Sequence, residues 1–268
     1  MTSIPILLYH SVSDDPPGWI APFNVTPAQL REHLDLVRSA GATTITISGA
    51  VEALSRGEPL PPRPVVLSFD DGFRDWSEVA VPAMAERAMT ASLYLTTGAL
   101  EGSPSPCATR LPPARMLSWG ELRDIRAAGF ELGAHSHTHP ELDVIRPGAA
   151  MEELTRPKAL LEDALSAPVT SYAYPHGFAT PAVTEMARRA GYSSACAVRN
   201  AISSERDDPF FLARLTVRPD TTLPTLESWI AGRGAPLAPM RRRLGTTAFR
   251  LYRRYARPSL PPPAEVGR

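Results

Sequence analysis

Two adjacent carboxylates, Asp70 and Asp71, end an apolar run at residues 65–69 and are followed at once by Gly72. Such a run suits a buried strand, and Asp-Asp-Gly suits a loop at its end. Paired carboxylates at a strand end are costly unless a metal ion or an abstractable proton requires the negative charge. Further along, residues 133–140 contain His135, His137 and His139. One carboxylate and two imidazoles form a common catalytic metal shell with positions left open for water and substrate. Taken alone, these residues leave choices open. Asp-Asp-Gly also serves as a plain polar turn. In an extended segment His135 and His137 project to the same side and could share an ion, in place of His135 and His139. His10, at the end of a strand-like stretch, reads by itself as a hydrogen-bonded structural residue as well as a proton donor.

The elements that must carry these groups alternate along the chain. Strand-like stretches fall at residues 4–9, 43–47, 65–69, 91–96, 130–134, 169–173, 193–198 and 211–217. Between them come helix signals. Thr26-Pro27-Ala28-Gln29 and Ser118-Trp119-Gly120-Glu121 read as capping boxes, and Thr180-Pro181 opens a helix that Gly191 ends. Residues 76–89 and 149–165 are helical in character, the latter despite Pro157. Repeated strand–helix units of this length imply an α/β fold with a parallel sheet, closed or nearly closed into a (β/α) barrel. Asp70, Asp71, the histidines and residues 174–177 all fall at C-terminal strand ends, where such barrels gather function.

At 268 residues with balanced formal charge, the chain can bury a large core as one domain. The balance is uneven: residues 237–268 hold eight arginines and one glutamate, a net +7, so residues 1–236 carry −7. An acidic body argues against nucleic-acid binding. Cys107 and Cys196 have no metal-like spacing and read as free thiols of a reducing compartment, with a disulfide as the alternative. Residues 4–9 are too short for a signal-peptide core, and no apolar run spans a bilayer, so a cytoplasmic protein is expected. The expected division is a catalytic domain at 1–235 and a basic tail at 236–268. In the tail, Met240, Leu244, Ala248, Leu251, Tyr252 and Tyr255 trace one helical face ringed by arginines. That pattern suits peripheral contact with an anionic membrane, or a helix packed on the acidic body with its arginines solvated.

Ser68-Phe69-Asp70-Asp71-Gly72, followed by His135-Ser136, His139-Pro140 and Leu142, resembles the polysaccharide deacetylase family, in order from about residue 4 to 218. The resemblance implies a distorted (β/α) barrel and removal of N-acetyl, sometimes O-acetyl, groups from amino-sugar polymers. Leu8-Tyr9-His10 and Tyr174-Pro175-His176-Gly177 resemble a subgroup acting on poly-N-acetylglucosamine, in which the Leu-x-His motif stands at the N-terminus as if permuted. The resemblance implies Asp71, His135 and His139 as metal ligands, for zinc first and cobalt or nickel as substitutes. It implies Asp70 as general base, His10 as general acid toward the departing amine, and the His176 backbone N–H as oxyanion donor.

Trp119 and Tyr174 are candidates to wall a sugar site by stacking, with a core role as the rival reading. The arginine that many members carry just before the third-motif proline is missing from Ser171-Tyr172-Ala173-Tyr174-Pro175; Arg214 is the candidate to orient the catalytic aspartate in its place. No aspartate partner for His10 stands out. The expected activity is metal-dependent de-N-acetylation of an N-acetylhexosamine glycan or glycoconjugate. An O-acetyl ester, a non-sugar amide, or a non-catalytic carbohydrate-binding module are the alternatives.

Overall fold

The computed structural model describes residues 2–104, 109–239 and 250–254. In chain order the elements are β1 (Ser3–Ile4), β2 (Ile6–Tyr9), α1 (Pro27–Ser39), β3 (Thr43–Thr44), α2 (Ile47–Ser55), β4 (Pro64–Phe69), α3 (Val81–Ala85), β5 (Ser92–Leu95) and α4 (Trp119–Ala127). They continue with β6 (Glu131–Ala134), α5 (Pro147–Leu165), β7 (Ser171–Ala173), α6 (Pro181–Arg189), β8 (Ser194–Cys196), β9 (Ser203–Ser204), β10 (Leu215–Thr216) and α7 (Leu223–Ile230). Seven strands pair in parallel in the order β10-β2-β4-β5-β6-β7-β8, and β3 adds to the start of β4. The seam between β8 and β10 is spanned by a parallel bridge of Cys196 with Leu212, so the sheet curls into a distorted (β/α) barrel. β1 and β9 form a separate antiparallel pair.

Register sets the site. Tyr9 lies opposite Phe69, Leu95 opposite Ala134, and Ala173 opposite Cys196. The strands therefore end level, and the residues that follow them, His10, Asp70 and His135 among them, leave the sheet along one rim. β4 is buried at all six positions, as a central parallel strand covered on both faces must be.

Both expected capping boxes form, Thr26 with Gln29 and Ser118 with Glu121. Three segments differ from expectation. Ile47 does not end a strand but opens α2, because the Thr46 side chain accepts from the Gly49 N–H and caps it. Residues 76–89 do not form one helix. A π-turn over Trp76–Ala80 runs into the short α3, where Pro82 has no N–H to continue an i→i−4 ladder. Helix α7, capped by Thr222, was not anticipated. Pro157 stays inside α5. It leaves the Glu153 carbonyl without a helical donor, and the Tyr172 hydroxyl donates to it at 3.4 Å.

The chain also remains on the barrel beyond the expected boundary at 235, since Leu237 bridges Ile202 and Ala238 is buried. Most of the anticipated tail helix lies outside the described residues, as does Cys107; Cys196 is a buried free thiol. Residues 250–254 are helical, but Arg253 is turned inward with 7% exposure while Leu251 and Tyr252 face out, which corrects the reading of solvated arginines for that position. No described helix is long and apolar enough to cross a membrane.

Candidate active site

The structure brings Asp71, from the loop after β4, together with His135 and His139, from the loop after β6. One ligand atom of each lies within 4.8 Å of the others, and all three side chains are buried. Asp71 Oδ1 is 3.2 Å from His139 Nε2 and 3.5 Å from His135 Nε2, and the two Nε2 atoms are 3.2 Å apart. Asp71 Oδ1 is buried and has no well-formed hydrogen bond. His135 Nδ1 lies 2.7 Å from the Ala173 carbonyl, an acceptor only, so that nitrogen carries the proton and Nε2 turns its lone pair toward the cluster. Burial lowers the His135 pKa to about 4, which keeps the ring neutral. Burial works to raise Asp71, but its contact with His139 and the neighbouring imidazoles hold it well below the usual carboxylate range. A convergent carboxylate and two imidazole Nε2 atoms, buried within reach of one another, fit a divalent cation of the zinc type. His137 is placed elsewhere: its Nδ1 meets Thr97 Oγ1 at 2.8 Å, and it is not part of the triad.

Asp70 sits beside this cluster, held by Arg214. The guanidinium donates from both terminal nitrogens, Nη1 to Oδ1 at 2.6 Å and Nη2 to Oδ2 at 2.7 Å. Arg214 is fully buried, and its Nε donates to the Ala197 carbonyl. Burial alone would raise Asp70; the charge of Arg214, followed by that of His135, outweighs it and leaves Asp70 below its ordinary value. Arg214 is thus positioned to fix both oxygens of Asp70 in one orientation.

His10 emerges from the end of β2 onto the same pocket. Its ring packs against Phe23 at 5.3 Å, and its buried Nδ1 has no hydrogen-bond partner. Burial lowers its pKa, against the charges of Asp71 and Asp70, which raise it. The backbone from His10 onward is clamped from the segment after β4. Trp76 Nε1 donates to the His10 carbonyl at 2.9 Å, and Asp75 Oδ2 accepts from Ser11 Oγ and the Val12 N–H at 2.8 Å each.

The histidine loop is clamped from α5. Glu153 accepts the His137 and Thr138 N–H groups and the Thr138 hydroxyl. Asp71, His139, His176 and Asn200 all line the pocket with positive φ, at 85°, 61°, 57° and 47°. Non-glycine residues take that conformation at a cost, and the surrounding structure must enforce it. His176 has its ring 4.7 Å from that of His139. Gly177 beside it has φ +72°, and a Cβ there would lie 2.3 Å from the Val198 nitrogen, so no larger residue fits this approach.

The pocket has a volume of about 690 Å³, within the range of small-molecule sites. His10, Asp70, Asp71, His135, His139 and His176 all line it, with Arg214 directly behind Asp70. Two expected residues do not. Trp119 opens α4 and packs against the main core, away from the pocket. Tyr174 is fully buried, stacks edge-on to Tyr172 and donates its hydroxyl to the Phe210 carbonyl. The aromatic walls are instead Trp19, Phe23 and Phe178, and Tyr252 also lines the pocket. Trp19 follows Pro16-Pro17-Gly18 in the loop after His10, and Phe178 follows the Tyr-Pro-His-Gly stretch directly; this proximity to the motifs was the available signal. For Asp75 and Glu153 the sequence offers none.

Comparison with known proteins bears on the family and the fold. The family model for polysaccharide deacetylase matches residues 57–195. A Bacillus subtilis (strain 168) protein, YxkH, named provisionally as a polysaccharide deacetylase, is 21% identical over 216 residues, which is 81% of this chain and 72% of that protein. Among solved structures, the deacetylase PplD of Streptococcus pyogenes, in complex with acetate, superposes with a TM-score of 0.74 at 24% identity, covering 84% of this chain and 96% of that one. IcaB of Ammonifex degensii gives 0.71 at 24% identity, with 85% and 97% covered. The de-N-acetylase of Aggregatibacter actinomycetemcomitans gives 0.75 at 18% identity, with 85% and 100% covered. At these identities the structures speak for the fold, and the family model, spanning more than half of the sequence, speaks for descent: the chain belongs to the polysaccharide deacetylase family.

Proposed function

We propose that the protein is a metal-dependent hydrolase that removes N-acetyl groups from an N-acetylhexosamine-containing glycan or glycoconjugate. The observation that carries this reading is the meeting of the buried Asp71, His135 and His139 triad with Asp70 and His10 in one pocket. The triad would hold a divalent cation, zinc first, with cobalt or nickel able to take its place. Such an ion would supply Lewis acidity toward the acetyl carbonyl and toward water. Asp70, fixed by Arg214, takes the proton of the attacking water. The His176 backbone N–H donates to the oxyanion that forms on the carbonyl. His10 gives a proton to the departing nitrogen, a step that an amide requires and an ester scarcely does. The apolar walls around Phe23 and Phe178 exclude water and favour the faces of a sugar ring.

The test is acetate release from N-acetylglucosamine oligomers and from lipid- or nucleotide-linked amino sugars, with zinc and again after chelation. Chelator-sensitive acetate together with a new free amine supports the reading. Acetate with a new hydroxyl would move it to an O-acetyl ester. No acetate from protein carrying one metal per chain would refute the substrate class, and absence of both would favour a binding module.

A further inference from the structure

The pocket is not walled by the barrel loops alone. Tyr252 and Arg253, from the helical turn at residues 250–254, also line it. Arg253 is tied down on three sides. Nη1 and Nη2 reach the two oxygens of Asp143 at 2.9 and 2.6 Å, and Nη1 is 3.1 Å from Glu141 Oε2. The guanidinium also lies 3.7 Å from the centre of the Phe178 ring. A nearly buried arginine with a bidentate carboxylate and an aromatic face is a far firmer attachment than an exposed ion pair. Phe178 in turn stacks on His176 at 6.2 Å, and His176 packs on the triad residue His139, so the latch is continuous with the reacting centre. Tyr252, next in the chain, is 55% exposed although it borders the pocket. A half-exposed tyrosine at a pocket lip beside a locked neighbour brings an amphipathic aromatic ring to the rim, a chemistry that suits a pyranose.

We propose that the 250–254 turn completes the substrate site: Arg253 latches it to the barrel, and Tyr252 is the platform for a sugar unit adjoining the one that is deacetylated. This rests on the deacetylase reading above. It makes residues 250–254 a determinant of substrate length, selecting a glycan of at least two units.

The experiment compares kcat/KM for an N-acetylglucosamine oligomer with that for a monomeric N-acetylglucosamine glycoside, using full-length, zinc-loaded protein. Tyr252→Ala lowers the oligomer-to-monomer ratio about tenfold, through KM rather than kcat, the size expected for one lost aromatic stack. Tyr252→Trp restores the ratio. Asp143→Asn, which lies outside the pocket lining, produces the same fall by cutting the latch, with the melting temperature recorded to separate this from unfolding. A ratio unchanged within twofold in both Tyr252→Ala and Asp143→Asn, in protein that remains folded, would overturn the proposal. So would a fall in kcat alone, or an equal loss on both substrates. Failure of the wild type to release acetate from either substrate would instead overturn the deacetylase reading, so the two failures are distinguishable.

Discussion

Replacement of Arg214 by methionine tests the electrostatic core of the site. Arg214 is fully buried and grips both oxygens of Asp70 at 2.6 and 2.7 Å. Two unit charges about 4 Å apart at an effective dielectric near 20 attract by about 4 kcal/mol. Methionine fills most of the space but leaves the Asp70 carboxylate buried and uncompensated, a situation that costs about 3–5 kcal/mol. The Ala197 carbonyl loses its donor as well, worth about 1 kcal/mol. Against a total stability of about 5–15 kcal/mol, the variant is expected to be severely weakened.

Asp70→Asn alone strands the guanidinium and costs a similar amount, whereas the double variant Arg214→Met/Asp70→Asn buries no charge and recovers most of the loss. The assay is urea unfolding at pH 7 in the presence of chelator, so that metal binding makes no contribution. Asp70 is held below its ordinary pKa in the fold, so the contribution is complete above about pH 4 and fades as pH falls below that. Single variants that each cost under about 1 kcal/mol, or a double variant whose cost is the plain sum of the two, would refute the reasoning.

Three further outcomes are expected. Asp71→Asn and His139→Ala lose zinc in equilibrium dialysis as well as turnover, while Asp70→Asn keeps zinc and loses turnover; zinc lost in Asp70→Asn but kept in Asp71→Asn would mean that the two aspartates have exchanged roles. Burial pushes Asp75 up to about 6, against the bonds from Val12 and Ser11. The folded protein therefore holds that proton more tightly than the unfolded chain, and stability falls by up to about 3 kcal/mol as pH rises from about 4 to 6. Asp75→Asn removes that slope in denaturation curves taken across the window, and an unchanged slope would count against it. Gly177→Ala, with a Cβ 2.3 Å from the Val198 nitrogen and φ at +72°, lowers stability by about 1–3 kcal/mol and shifts His176. Thermal melting and acetate release would both register it, and a variant matching wild type in both would contradict the tight approach.

What the sequence determined by itself was local or motif-borne. The apolar run ending in Asp70-Asp71 marked a central strand and the end of it that meets the pocket, because a parallel strand covered on both faces must be continuously apolar. The capping boxes at Thr26 and Ser118 fixed two helix starts, since both partners lie within one turn. Spacing alone did not choose between His137 and His139. The backbone makes that choice: His139 takes positive φ and turns its ring back to His135, whereas His137 is drawn to Thr97.

Tertiary structure alone decided the rest. Arg214 meets Asp70 across 144 residues because β10 pairs with β2 and β2 with β4, a register that no local pattern encodes. Tyr174 and Trp119 had the chemistry of sugar platforms, but the direction of their side chains is set by the packing of β7 and α4, which turned both toward the core. The same holds for Arg253, one of the tail arginines expected to face an anionic membrane or solvent, which Asp143, Glu141 and Phe178 drew inward. Spacing along a chain gives residue types and local geometry. Which charge finds which partner depends on contacts between elements far apart in sequence, and these exist only once the barrel has closed.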